Sequence, residues 1–297
     1  MAFMGIDGGG STLRVVIVTE ALTLLAQVQR STANPSVIGR EASAALIQEA
    51  MREALAQTPA QVEAVGIGVA GASAVYASDW LISVVQSALP DVLVIPSSDN
   101  EIALVGAHGA RRGVMVLAGT GSVALALDAH AQPVQAGGWG YLLGDEGSGF
   151  WLALESLRAS ARWADGRAPE AHDLAQQMMS ALGVSRPVDL IPWLYRQPPP
   201  TRELAQHASL VLDAAASDAC AQKIVARGAH ALAEITRSVV ARAQLQAPAI
   251  QFCGGLLTFD NPLSAALCNE LGLAIRPVPM FPPVIGAALL AKITLAE

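Results

Sequence analysis

Along the first 130 residues, apolar and polar positions alternate in short blocks that stop at glycine or at a polar pair. Residues 3–7 are apolar as far as Asp7 and read as a strand. Gly8-Gly9-Gly10-Ser11 reads as a tight turn, and 13–19 (LRVVIVT) is β-branched with strand-like alternation. Residues 22–29 fit a third antiparallel strand. From 39 to 57, Ala42, Ala45, Leu46, Ala50, Ala54 and Leu55 recur at helical spacing. Residues 64–70 (AVGIGVA) have the unbroken apolar pattern of a buried strand. Residues 78–89 fit a helix capped by Ser78 or Asp79, and 92–96 a short strand ending just before Asp99, with a helix from Asn100.

The pattern then restarts. Residues 113–119 (GVMVLAG) read as a strand, Thr120-Gly121-Ser122 as a turn, and 123–128 as a strand. Ile6, Gly8, Gly10 and Ser11 match Leu117, Gly119, Gly121 and Ser122 at a constant offset. Such an internal repeat predicts a duplicated core with two glycine loops on opposite walls of one cleft. Residues 146–247 read as almost wholly helical, broken at 166–169 and at Pro198-Pro199-Pro200, with a long helix over 218–246. A strand over 249–253, a turn at Gly254-Gly255 and helices over 262–271 and 282–296 complete the chain. Strands alternating with helices predict the α/β class.

With 297 residues the chain is long enough for two domains. Hydrophobic residues make up 53% and charged residues 14%. Yet no window approaches the roughly 20 apolar residues that span a bilayer, and the N-terminus lacks a basic leader. The expectation is a chain with no membrane partner. The net charge of -7 argues against a nucleic-acid partner, because phosphate backbones select basic surfaces. Cys220, Cys253 and Cys268 are far apart and odd in number, which points to a reducing, cytoplasmic setting. Lysine occurs at 223 and 292 only, so neither a P-loop nor a protein-kinase strand lysine is present. If ATP is handled, backbone N–H groups, arginines or a metal must neutralise its phosphates. The five histidines show no metal-binding spacing, and no G-x-S-x-G elbow occurs.

Several positions carry candidate chemistry beside an ordinary structural role. A strand comes directly after the Gly8-Gly9-Gly10 turn, where a dinucleotide fingerprint needs a helix, so that reading is weak. A glycine hairpin can instead approach a phosphate and present N–H donors, or simply turn the chain. Asp7 fits either a turn-capping residue or a Mg²⁺ carboxylate. Asp99 fits either a helix N-cap or a general base at a strand's carboxyl end. Glycine fills six of the thirteen positions from 137 to 149, which also hold Trp139, Asp145 and Glu146. Asp145 with Trp139 suits a carbohydrate subsite, and the alternative is a capping box for the next helix. Cys253-Gly254-Gly255 reads as a close-approach turn rather than a metal fragment.

Taken in order, Ile6-Asp7-Gly8-Gly9-Gly10-Ser11-Thr12, Asp99-Asn100, Ala118-Gly119-Thr120-Gly121-Ser122, Gly137-Gly138-Trp139-Gly140, Gly144-Asp145-Glu146-Gly147-Ser148 and Gly254-Gly255 span nearly the whole chain. The sequence resembles the N-acetylglucosamine and glucosamine kinases. These lie in the BadF/BadG/BcrA/BcrD-type ATPase group of the actin, sugar kinase and heat-shock ATPase superfamily. The glycine loops are common to the superfamily, whereas the stretch from Gly137 to Ser148 is more specific to amino-sugar kinases.

The resemblance implies a two-domain actin-like ATPase, a duplicated ribonuclease H-like α/β fold with a central cleft that closes on the sugar. It implies a first domain of residues 1–109 plus 282–297 and a larger second domain of 110–281 with a helical insertion. It implies phosphorylation of the 6-hydroxyl of N-acetylglucosamine, with glucosamine as the alternative substrate. ATP would bind at Gly8, Gly9, Gly10, Ser11, Thr12, Gly119, Thr120, Gly121, Ser122, Gly254 and Gly255, and Asp7 would organise Mg²⁺. Asp99 would be the catalytic base. Asn34, Asp99, Thr120, Gly121, Trp139 and Asp145 would bind the sugar. A homodimer is also implied. The superfamily's dehydratase and reductase activators need cluster cysteines near the second glycine loop, and no cysteine precedes Cys220. A non-catalytic sugar sensor would tolerate loss of Asp99, which is present.

Overall fold

β-Branched runs separated by glycine produce an antiparallel meander at the start of the chain. Strands β1 (Ala2–Gly8), β2 (Thr12–Thr19) and β3 (Leu24–Ser31) form it, with Asp7 paired to Arg14 and Gly8 to Leu13. The computed structural model describes residues 1–72, 74–197 and 199–296, and only the backbone at 74–76. Pro198 of the second expected break and Glu297 at the end of the expected first domain lie outside the described residues.

The chain divides into two units. The first comprises Met1–Gly113, Ala129–Pro133 and Pro279–Glu297, the second Val114–Asp128 and Val134–Val278. In the first unit β4 (Val62–Val69) adds parallel to β1, and β5 (Leu93–Ser97) parallel to β4, giving the order β3-β2-β1-β4-β5. In the second, β6 (Val114–Ala118), β7 (Ser122–Leu127), β8 (Pro133–Gly137) and β9 (Ile250–Cys253) give the order β8-β7-β6-β9, with β9 parallel to β6. Each sheet is thus a meander with a parallel strand laid beside its first strand. The two hairpins differ in detail. Pairing in the first continues to Gly8 and Leu13, whereas in the second it stops at Ala118 and Ser122, so the second loop is one residue shorter.

All of β1 is buried, which explains its apolar run. One face of the sheet packs Met4, Ile6 and Ile67 against Ile47 and Met51 of helix Arg40–Ala56 and Leu81 of helix Ala74–Gln86. The other packs Phe3, Val16 and Ala64 against Val284, Ala288 and Ala291 of helix Pro283–Ala296. That helix reaches the sheet backbone. A Cβ on Gly5 would stand 2.0 Å from the Val284 carbonyl oxygen, and one on Gly66 1.9 Å from that of Ala287. Larger side chains there would add burial worth about 1.5–3 kcal/mol each, but only by displacing the helix.

Several expectations are corrected. The helix expected over 78–89 runs Ala74–Gln86, so Ser78 and Asp79 lie inside it rather than at its N-cap. The helix expected from Asn100 is Asp99–His108, and its N-cap is Ser98. Strand β8 (PVQAG) has no run of buried positions and left no hydrophobic pattern to read. The helical stretch of the second unit breaks after Gly149–Ala164 as expected. It is more divided beyond that, through His172–Ala181, Leu190–Leu194, Thr201–Gln206 and Ala208–Ala214, before the long helix Ala219–Arg242.

Candidate functional site

The candidate residues fall into two groups, one per unit. In the first, Asp7 is the last residue but one of β1, and the glycine loop follows. The Gly9 N–H donates to the Thr12 carbonyl at 2.9 Å and closes the turn. Nothing lies within 4 Å of where a Cβ on Gly10 would stand, so the loop tip is open to a ligand. Thr32 Oγ1 donates to the Gly9 carbonyl at 3.1 Å and accepts from the Asn34 N–H at 3.1 Å. Asn34 Oδ1 accepts from the Ser36 N–H at 2.8 Å as the cap of the short helix Pro35–Ile38. The cap uses the oxygen of the Asn34 side chain and not its amide nitrogen.

Asp99 stands at the carboxyl end of β5, in the first turn of its helix. Ser98 Oγ accepts from the Glu101 N–H at 3.0 Å, so the cap is already supplied and Asp99 is not used as one. Glu101 is fixed in turn, accepting from Ser97 Oγ at 2.8 Å and from Arg111 Nε at 2.9 Å. Burial raises the Asp99 pKa above the ordinary carboxylate value, against opposing hydrogen bonds from the backbone at Asn100 and at Asp99 itself. Asp7 is only 6% exposed. Burial pushes its pKa up to about 6, the Arg14 guanidinium lowers it, and the charge of Asp99 raises it further. Two carboxylates thus share one electrostatic environment.

Arg14 is the site residue that motif reading missed. It faces Asp7 across the β1–β2 ladder, with its Nη1 3.9 Å from Oδ2, and its Nε donates to Gln29 Oε1 at 3.3 Å. The signal was the absence of any lysine before 223, which leaves arginine as the cation available beside the first loop. Among the described residues no group of three or more His, Cys, Asp or Glu is arranged to hold a metal. Magnesium keeps several waters and takes one or two carboxylates together with phosphate oxygens. Asp7, ionised above about pH 6, offers one such carboxylate, directly or through water, and its raised pKa means that an ion there would have to compete with a proton below that pH.

In the second group, the Gly119 N–H donates to the Gly121 carbonyl at 2.9 Å and closes the second loop. Asp145 is 9% exposed and its Oδ1 accepts from the Ser122 N–H at 3.2 Å. Its pKa is raised by burial, lowered by that N–H and raised by Glu146. A Cβ on Gly121 would stand 2.9 Å from Asp145 Oδ2, so the loop comes close to the carboxylate only as glycine. Ser148, not Asp145, caps helix Gly149–Ala164, its Oγ accepting from the Trp151 N–H at 3.2 Å. The capping-box alternative for Asp145 therefore does not hold. The Gly149 N–H donates to the Gly119 carbonyl at 2.8 Å and ties this helix to the loop. Thr120 is exposed, and Trp139 is 74% exposed beside Gly144, next to Asp145 in the chain.

After β9, Gly254 presses on β6. A Cβ there would stand 2.3 Å from the Ala118 carbonyl oxygen, which accepts from the Leu256 N–H at 3.1 Å. Gly255 beside it faces open space. Burial pushes the Cys253 thiol up to about 12, as a packed, unreactive cysteine.

The chain is similar to known proteins over most of its length. An N-acetylmuramic acid/N-acetylglucosamine kinase of Clostridium acetobutylicum is 29% identical over 241 residues, which covers 80% of this chain and 78% of that one. An N-acetyl-D-glucosamine kinase of Dictyostelium discoideum is 25% identical over 319 residues, 97% of each. A Chromobacterium violaceum protein, whose solved structure carries the provisional name N-acetylglucosamine kinase, superposes with a TM-score of 0.75 at 28% identity. It covers 97% of this chain and 98% of its own. The two meander sheets make up a two-domain actin-like ATPase fold. A family model matches residues 4–291, and the chain belongs to the BadF/BadG/BcrA/BcrD ATPase family.

Proposed function

We propose that the chain transfers the γ-phosphoryl group of ATP to the 6-hydroxyl of an amino sugar, N-acetylglucosamine before glucosamine. The observation that carries this reading is Asp99, a carboxylate of raised pKa whose charge is felt at Asp7 before the first glycine loop and that its helix does not need as a cap. As the bond from O6 to phosphorus forms and the bond from phosphorus to ADP breaks, the O6 proton passes to an Asp99 oxygen. Backbone N–H groups of Gly8–Thr12 and Gly119–Ser122 meet the phosphates, and Gly254 and Gly255 lie against the adenosine. Arg14 supplies a fixed positive charge. Mg²⁺ held at Asp7 supplies further neutralisation of the phosphate oxygens. Asn34, Thr120, Gly121, Trp139 and Asp145 hold the sugar.

The relatives named for N-acetylglucosamine support the choice of sugar, as does the stretch from Gly137 to Ser148. A cytoplasmic setting and a homodimer complete the reading. The first rests on three free cysteines and the second on family resemblance alone.

The test is ADP release across a sugar panel. N-Acetylglucosamine or glucosamine should far exceed glucose, glycerol and xylulose. Turnover of glycerol equal to that of the amino sugars contradicts the proposal.

A further inference from the structure

Strand β3 (Leu24–Ser31) lies at one end of the first sheet, with β2 as its neighbour. Along such a strand, every second residue turns its backbone N–H and C=O away from the sheet. That row of groups is a template for a further strand from another chain. The usual protections are thin here. The strand, LLAQVQRS, holds no proline and no lysine, and Arg30 is its one charge. Leu24 and Leu25 at its start are exposed. A strand of this composition, left open, invites pairing with a copy of itself.

The edge is nevertheless occupied. Gln57 is the C-cap of helix Arg40–Ala56, and its side chain reaches the middle of β3. Its Oε1 accepts from the Gln27 N–H at 3.2 Å, and its Nε2 donates to the Gln27 carbonyl at 3.4 Å. One side-chain amide thus gives Gln27 the pair of contacts that the backbone of a facing antiparallel residue would give. Two residues on, the Gln29 carbonyl accepts from Arg30 Nη1 at 2.9 Å, and Glu53 of the same helix pairs with that guanidinium. The second sheet repeats the arrangement at β8, its own end strand. There the strand opens on Pro133, which has no N–H to offer. The Gln135 carbonyl accepts from Arg242 Nη1 at 2.7 Å, and the Gly137 carbonyl from Gln135 Nε2 at 3.3 Å. In both units the end of a helix, Gln57 or Arg242, supplies a side chain to the third strand of the meander.

We infer that Gln57 guards this edge: its amide occupies the outer side of β3 in place of a strand and keeps a second copy of this chain from adding there. The guarded surface is the β3 edge, and the partner it fits is the β3 edge of another copy, paired antiparallel about a two-fold axis. The inference is independent of the kinase reading, and the proposed homodimer then forms through another surface.

The alternative role for Gln57 is an anchor that holds its helix to the sheet, and the two roles predict different results. The full-length chain is followed by sedimentation velocity against concentration and by thermal melting. Gln57→Ala keeps the helix end, whose cap bonds come from the backbone N–H of residue 57. Between about 1 and 100 μM it should form species larger than the wild-type one, in a share that rises with concentration. Its melting at the lowest concentration should stay within about 3 °C of wild type, since only exposed hydrogen bonds are lost. Adding Gln27→Lys to Gln57→Ala should restore the wild-type species, because a lysine on the edge blunts it. Wild-type sedimentation of Gln57→Ala at every concentration overturns the inference, and a lowered melting temperature beside it assigns Gln57 to anchoring. Association that Gln27→Lys does not reverse overturns it too, because another surface or unfolded chain is then the cause.

Discussion

Asp145 holds a φ of +62°. That conformation costs most L-residues roughly 1–2 kcal/mol, and Asn and Asp tolerate it best. Asp145→Ala therefore mixes two effects, lost sugar contacts and backbone strain. Asp145→Asn removes the charge, keeps an oxygen for the Ser122 N–H and tolerates the backbone. It should melt within about 2 °C of wild type and raise the sugar KM about tenfold, while Asp145→Ala also loses about 1 kcal/mol of stability. An unchanged KM for Asp145→Asn removes Asp145 from the sugar site. Asp7 supports a prediction in pH. Its carboxyl holds a proton up to about pH 6 in the folded chain, against 3.8 as the ordinary value. The folded state therefore binds the proton more tightly. This contribution to stability is fully present below pH 3.8 and is lost as pH rises through 6, by at most roughly 3 kcal/mol. In metal-free buffer Asp7→Asn should be more stable than wild type above pH 6, with the difference vanishing below about pH 4. A difference independent of pH contradicts the burial of this charge. Asp7, Asp99 and Asp145 were visible in sequence because glycine and apolar residues surround them. Which of them cap helices was not visible, because Ser98 and Ser148 are equally good caps and only backbone geometry chooses between neighbours. Arg14 was hidden for a similar reason, since alternation along β2 gives its face but not its partner across the ladder.

At the scale of elements, the helix carrying Asp99 is held by the end of the chain. The Met280 N–H donates to the Ala107 carbonyl and the Phe281 N–H to the Gly106 carbonyl, both at 3.0 Å. A Cβ on Gly286 would stand 2.0 Å from the Ile102 carbonyl oxygen and 2.5 Å from the Gly106 nitrogen. Gly286→Ala must therefore push helix Pro283–Ala296 away from helix Asp99–His108. Overpacking against backbone costs about 1–3 kcal/mol or more, so the variant should melt several degrees lower. It should also lose kcat, because Asp99 moves with its helix. Melting and kcat both equal to wild type would contradict this packing. The helix over 282–296 was legible from its apolar run, which extends all round, as befits a helix packed on more than one side. Its attachment was not, because contacts between residues some 180 positions apart leave no local period. Strands β1, β2, β4, β6 and β9 were legible for the opposite reason, since each is an apolar run ended by glycine or a polar residue.

For the whole molecule, duplication explains why two loops with one pattern recur 111 residues apart. It also shows where the copies diverge. The position matching Asp7 is Ala118 in the second unit, whose acid at the loop is Asp145, supplied by a later segment. The molecule's net charge of -7 would repel ATP, so attraction must come from groups at the loops rather than from the overall field. On the proposed reading, proton transfer falls to Asp99. Asparagine has the shape of aspartate at that position, and Ser98 retains the cap, so Asp99→Asn should fold and bind ATP as wild type does. The most direct measurement is the kcat of Asp99→Asn at saturating N-acetylglucosamine and ATP, read as sugar phosphate formed per enzyme per second. A fall of about 10²-fold or more, with an unchanged melting temperature and ATP affinity, is the predicted result. A kcat near that of wild type would contradict the account and move the base to another residue.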